Sequence, residues 1–308
     1  MQTFDTSHNY DRVSFKLSGP ELIITRLPFG IRDKKLLIII YNEADCEVQR
    51  TTYEYSKSDR ITLKPVPEGK YYLNIYIGNK SYLSTEYYAY FQPRSISLLV
   101  KNDRWHFIVS PIINRNREVI AKLLTDDKAL AYYIMPSKSI ESDAAEIQSL
   151  AKEIGKYRIT QMQKLLAIHD WVAENIYYDF DALLNRTCDE QEYSALQVLA
   201  TKRCVCRGYA NLGVALMRAL GIPAIIQRCY ALNIDTDGGW EKPENQIARS
   251  NHVLVLAYVE HRWLNIDITW DSCNVYKGGK FIKNSRGFTS RRYFDATLEM
   301  ISNTHKFQ

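Results

Sequence analysis

Apolar runs in this sequence, such as Leu36 to Ile40, stop after five residues, whereas a membrane-spanning helix needs about 20. No membrane span is therefore expected. The opening residues, Met1-Gln2-Thr3-Phe4-Asp5, lack the basic start and apolar stretch of an export signal. No basic block stands out either. The 40 lysines and arginines are interleaved with 35 acidic residues, for a net charge of +5, which argues against a surface dedicated to nucleic acid. Cysteine is sparse. The six cysteines, at 46, 188, 204, 206, 229 and 273, show neither the spacing of a disulfide framework nor that of a zinc knuckle. Free thiols in a reducing, cytoplasmic compartment are the expectation.

What is present is 308 residues, 46% of them hydrophobic and 24% charged, enough to bury a sizeable core in two domains. We place the boundary at 112/113, where short alternating segments give way to helical spacing. Before it, Ser14 to Leu17, Glu21 to Thr25, Lys35 to Tyr41, Ile61 to Leu63, Tyr71 to Ile77, Ser97 to Val100 and Trp105 to Val109 alternate as strands between turn residues. This regular spacing predicts an N-terminal all-β, immunoglobulin-like sandwich. Its tyrosines at 71, 72, 76, 82, 87, 88 and 90 would either pack inside the sandwich, the favoured reading, or line a face for a protein or glycan ligand.

After the boundary, helices are expected over Glu118 to Leu124, Asp143 to Ile154 and Ser194 to Ala200. Another starts at a capping box, Thr160 with Gln163. Its apolar face includes Met162, Leu165, Leu166, Val172 and Ile176, with His169 on or beside it, where a core histidine is the expected role. A further helix begins at Cys206, carries Leu212, Ala215, Leu216 and Ala219 at helical spacing, and stops at Gly221 and Pro223. A cysteine on a helix N-terminus, with Arg203 and Arg207 close in sequence, should hold a stabilised thiolate.

Ala224 to Leu232 reads as a strand, and the long polar stretch from Asn233 to Ser250, with Gly238-Gly239 and Pro243, as a loop beside a cleft. Asn251 to Val259 and Arg262 to Trp270 then form a tight hairpin around Glu260-His261. If Val259 faces Arg262, Leu254 faces Asp267, so His252 and Asp267 share one face as diagonal neighbours about 7 to 8 Å apart. Cys206, His252 and Asp267 together have the composition needed for thiol acyl transfer. The imidazole takes the thiol proton, the carboxylate orients the ring, and the Cys206 N–H faces the developing oxyanion. Asp271 is the alternative acid.

Cys206-Arg207-Gly208-Tyr209-Ala210, His252 and Trp263-Leu264-Asn265-Ile266-Asp267-Ile268-Thr269-Trp270 resemble the three blocks of the transglutaminase-like superfamily. Ile168-His169-Asp170-Trp171-Val172 with Ile176-Tyr177-Tyr178-Asp179 resembles the helix that introduces them. The resemblance implies an α+β, papain-like catalytic domain over residues 113–308. It also implies a Cys206, His252, Asp267 triad, no cofactor, and a peptide or protein substrate cleaved at an amide or isopeptide bond. Two positions depart from the family pattern. Cys204 stands where a small residue is usual two places before the cysteine, and Leu254 where a tryptophan often follows the histidine. The competing readings are an inactive binding or scaffold module, a protein-glutamine cross-linking enzyme, and a metal site of Cys204, Cys206, His252 and Cys273.

Overall fold

The computed structural model describes residues 2–31, 34–54, 59–80, 85–188, 191–232, 240, 249–284 and 289–308. Most of the polar stretch from Asn233 to Ser250, including Gly238, Gly239 and Pro243, lies outside the described residues, as does Tyr82.

The chain divides into two compact units. The first comprises residues 1–117, 231–249 and 296–306, and the second residues 118–230, 250–295 and 307–308. In the first, β1 (Gln2–Asp5), β2 (Ser14–Ser18), β3 (Glu21–Arg26) and β6 (Arg60–Thr62) make one antiparallel sheet in the order β1-β2-β3-β6. The other sheet runs β10-β9-β7-β4-β5, with β8 paired to β7. Its strands are β4 (Lys35–Asn42), β5 (Glu47–Glu54), β7 (Gly69–Lys80), β8 (Thr85–Ala89), β9 (Ser97–Lys101) and β10 (Arg104–Phe107). The apolar run Leu36 to Ile40 is buried throughout because β4 is an interior strand, paired on both sides. Phe107 of β10 meets Phe4 of β1 and Phe15 of β2, with ring centroids 5.3 and 6.5 Å away, so the two sheets share one aromatic core. Tyr71, Tyr72 and Tyr90 are buried, Tyr71 against Trp105 and Tyr90 against Phe91, in keeping with packing rather than display.

Among the described strands of these two sheets, β1, β5 and β8 escape the sequence pattern. β5 lies at a sheet edge with exposed and half-buried polar residues, so it carries little hydrophobic alternation. The first unit also recruits α9 (Leu298–Thr304), which the sequence does not anticipate. Thr297 donates its hydroxyl to the Asp5 carbonyl, and the Asn303 amide donates to the Ser95 carbonyl.

The second unit is built around α7 (Cys206–Ala219). From Gly208 to Met217 every residue of α7 is buried, so this helix is the core. It packs against α3 (Ala145–Gly155), α4 (Gln161–Asn175) and α6 (Ala195–Thr201), and against β14 (His252–Val259). The helices α1 (Ile112–Ala121), α2 (Asp127–Tyr132) and α5 (Phe180–Leu184) complete the described set up to α7. The capping box predicted for α4 is present: Thr160 accepts from the Gln163 N–H, and the Gln163 side chain accepts from the Thr160 N–H.

β13 (Ala224–Ala231), β14 and β15 (Arg262–Ile266) form an antiparallel sheet, and Gln308 at the chain's last position donates its N–H to the Arg228 carbonyl of β13. β12 (Arg203–Cys204), β11 (Tyr177–Asp179), β16 (Val275–Lys277) and β17 (Lys280–Ile282) form a smaller sheet in that order. The β16–β17 turn needs left-handed backbone at Gly278 (φ 60°) and Gly279 (φ 71°), and both N–H groups end on the Asp181 carboxylate. No described helix is long and apolar enough to cross a membrane.

Candidate active site

Cys206 is the first residue of α7. Val205 before it is extended and provides no side-chain cap, so the first N–H groups of the helix lack a partner within it. The residue as a whole is half-buried. The helix start is held from behind by Tyr209, whose hydroxyl donates to the Ile176 carbonyl at 2.9 Å, and by Asn211, whose amide donates to the Tyr193 carbonyl at 2.8 Å.

His252 opens β14, opposite Cys229 of β13. Ser250 anchors that strand entry by hydrogen bonding to the Cys229 and His252 carbonyls. The His252 ring is buried, with Nε2 2.8 Å from Asp267 Oδ2. Nε2 is thus committed to Asp267, and the ring and the Cys206 thiol influence each other's protonation.

Asp267 reaches this position by leaving the hairpin. The β14–β15 register is as the sequence predicts from Val259↔Arg262 to Val255↔Ile266, and there it ends. The expected strand pairings Leu254 to Asp267 and His252 to Thr269 do not form. Instead, Asp267 caps a short helix, α8 (Ile268–Asp271), accepting from the Trp270 N–H at 3.1 Å through Oδ1. Its own N–H donates to the Tyr293 carbonyl. One carboxylate oxygen thus fixes the helix and the other faces His252.

Burial works to raise the Cys206 thiol. It is outweighed by the hydrogen bond and charge of His252 and by the Val253 N–H, so the thiol sits below its ordinary value. Burial likewise works against a charged His252, and is outweighed by Asp267 and Cys206, so the imidazole is pushed well up. These two directions favour a thiolate and imidazolium pair. The arginines are not responsible, contrary to the sequence expectation. Arg203 turns to Asp179, with Nε 3.6 Å from Oδ2, and lies over the Tyr276 ring, while Arg207 donates to the Cys188 and Gln191 carbonyls.

Two aromatic residues at the site escape the sequence reading. The Trp270 indole lies beside His252 with ring centroids 5.8 Å apart, and Tyr293 meets Trp270 edge-on at 5.2 Å. An aromatic neighbour for the histidine therefore comes from α8, whereas Leu254 is buried in the sheet. Tyr178 is half-buried, and its phenol is pushed up by burial and then by the charge of Cys206. Trp270 could have been found from its place in the Asp267 block, but Tyr293 carries no sequence signal.

The alternative acid, Asp271, is occupied elsewhere. Its Oδ2 meets His169 Nε2 at 3.0 Å and the Tyr293 N–H, and its Oδ1 accepts from Ser290 and the Arg292 N–H. Cys273 lies against the Asp271 carbonyl and Arg292 rather than with Cys206, and Cys204 is buried, its thiol pushed well up chiefly by that burial.

The family model of the transglutaminase-like superfamily matches residues 148–268. The chain is similar to the kyphoscoliosis peptidases of Mus musculus and Homo sapiens, at 24% and 25% identity over 126 residues. That stretch covers 41% of this chain and only 18% of either relative. Among solved structures it is similar to a candidate cysteine protease from Cytophaga hutchinsonii, at 19% identity and a TM-score of 0.38, covering 77% of this chain and 76% of that one. A candidate protease from Parabacteroides distasonis aligns at 13% identity and a TM-score of 0.30, covering 75% of this chain and 37% of that one. The α+β second unit, with Cys206 at the head of its central helix, thus carries a transglutaminase-like domain over residues 148–268.

Proposed function

We propose that this protein is a thiol-dependent amide hydrolase, cleaving a peptide or isopeptide bond in a peptide or protein substrate with Cys206, His252 and Asp267. The observation that carries this reading is the 2.8 Å contact of His252 with Asp267 at the head of the helix that begins with Cys206, with the thiol shifted down and the imidazole up by their mutual influence. In the forward half-reaction the Cys206 sulfur attacks the amide carbonyl, and the Cys206 N–H faces the oxyanion that forms. The His252 imidazolium then gives its proton to the departing amine, leaving an acyl thioester and a neutral ring. In the second half-reaction neutral His252 takes a proton from water, the hydroxide cleaves the thioester, and the thiolate and imidazolium are restored. Asp267 remains ionised throughout and stabilises the cationic ring.

Transfer of the acyl group to an amine instead of water would make the enzyme a cross-linking one. The two are separated by offering a glutamine-bearing protein with a labelled primary amine: hydrolysis alone supports the peptidase reading, and incorporation of label replaces it. The first test needs no substrate. Iodoacetamide labelling of the native protein from about pH 5 to about pH 9, with the modified cysteine located by mass spectrometry, should show Cys206 reacting selectively, with a midpoint below the free-thiol value of about 8.5. His252→Ala should remove that selectivity. Equal, slow labelling of all accessible cysteines would leave a binding module in place of an enzyme.

A further inference from the structure

His169 lies wholly inside the second unit, and both of its ring nitrogens end on carboxylates. Nδ1 is 3.0 Å from Asp170 Oδ1 and Nε2 is 3.0 Å from Asp271 Oδ2. Asp170 also receives a two-pronged contact from Arg291, at 3.0 and 2.6 Å. Asp271 also accepts from the Ser290 hydroxyl and from the N–H groups of Arg292 and Tyr293, at 2.9 and 3.0 Å. In each of these other contacts the carboxylate is the acceptor, and with both ring nitrogens of His169 ending on carboxylate oxygens both donate, so the ring is an imidazolium. The Phe294 ring meets it edge-on, with centroids 5.1 Å apart.

As a stabilising device such a cluster is poor, because buried ion pairs gain little over apolar residues of equal size. What it supplies is direction. The Asp271 carboxylate folds the segment 290–293 around itself through two backbone N–H groups. The next group on that segment, the Tyr293 carbonyl, accepts the Asp267 N–H at 3.1 Å, and the Tyr293 ring supports Trp270, which lies beside His252.

Resting on the thiol-site reading above, we propose that His169 is a positioning residue: with Asp170 and Asp271 it fixes the segment 290–293, and through Tyr293 it holds Asp267 and Trp270 where they orient His252 toward Cys206. His169 does not touch the reacting atoms. Its influence passes through Asp271 and Tyr293.

The test is iodoacetamide labelling of Cys206 as a function of pH in the full chain, with the melting temperature measured alongside, for the parent protein, His169→Gln and Asp271→Asn. Asp271→Asn keeps an acceptor oxygen and the side-chain size while removing the charge, so it reads out the network even if His169→Gln does not fold. In both variants the Cys206 midpoint should rise by about one pH unit, and labelling well below the midpoint should slow about tenfold, because one pKa unit is a tenfold change in thiolate fraction. A lowered melting temperature with an unmoved midpoint would make the cluster structural only and overturn the positioning role while leaving the thiol site intact. Absence of selective Cys206 labelling in the parent protein would overturn both.

Discussion

Gly208 and Gly213 lie on the same buried helix, yet a methyl group at each meets different resistance. A Cβ at Gly208 would lie 2.3 Å from Cys204 Cβ, 2.6 Å from its sulfur and 2.8 Å from Val198 Cγ2, all close to their own backbones. A Cβ at Gly213 would meet Ile268 Cδ1 at 2.7 Å, the free end of a flexible side chain. Gly208→Ala should therefore cost roughly 1–3 kcal/mol by overpacking. For Gly213→Ala, the higher helix propensity of alanine, worth about 1 kcal/mol, offsets much of the strain. Urea unfolding of the two variants should rank them in that order, and equal costs would contradict this account. Gly208 also explains how a cysteine is accommodated two places before Cys206: the missing side chain makes room for it. At this scale the sequence was informative where chemistry sits in short blocks. Cys206, His252 and Asp267 could be singled out because each stands in a recognisable local pattern. The partners of His169 could not, apart from its neighbour Asp170, because Asp271 lies 102 residues from it and Arg291 lies 121 residues from Asp170.

The element that most affects the site is α8, and it is the one the sequence misassigns. Asn265-Ile266-Asp267-Ile268-Thr269-Trp270 alternates apolar and polar residues and reads as strand to its end. The ladder stops at Ile266 because the Asp267 N–H finds the Tyr293 carbonyl and its carboxylate finds the Trp270 N–H, contacts made across the fold as well as along the chain. Helix cap and histidine partner are therefore one side chain, and substitution can separate the two roles. Asp267→Asn keeps a good cap, so the melting temperature should change little. Losing the charge beside His252 lowers the imidazole pKa, weakens the thiolate, and should slow Cys206 labelling below neutral pH by at least about tenfold. Asp267→Ala should lose the same reactivity and a further ~1 kcal/mol of stability from the cap. If Asp267→Asn labels like the parent protein, the carboxylate does not act through His252. By contrast, α4 and the upper hairpin were legible because a capping box and a two-residue turn are fully local signals.

For the molecule as a whole, pH should act on stability mainly through His169 rather than through the thiol pair. Near neutrality a folded thiolate and imidazolium hold one proton between them, and so do an unfolded thiol and neutral imidazole, so their opposite shifts largely cancel. Burial opposes charge on His169, but Asp170 and Asp271 raise it from the ordinary 6.5 to about 9. A group whose folded value is raised contributes its stability below the unfolded value and loses it as pH rises through the folded one. Asp170 has the opposite sign: its carboxyl, which burial alone would raise, is held below the usual 3.8 by His169 and Arg291, so its contribution is lost only in acid. The melting temperature should thus fall as pH rises from about 6.5 toward about 9, and His169→Gln should flatten that slope.

The division into units leads to the last expectation. A cut at 112/113 looks natural from the sequence, because strand spacing ends there. The fragment 113–308 would nevertheless retain residues 231–249 and 296–306, which belong to the first unit. Ala296, Met300 and Ile301 are buried, and Thr297 is tied to the end of β1 and the residue after it through the Asp5 and Thr6 carbonyls. Without residues 1–112 those apolar side chains lose their cover, and exposed contiguous apolar surface drives self-association. Expressed alone, 113–308 should aggregate or bind a hydrophobic dye strongly, whereas the full chain should not. A monomeric fragment with a cooperative melt would show that α9 can be released without cost and that the boundary read from the sequence suffices.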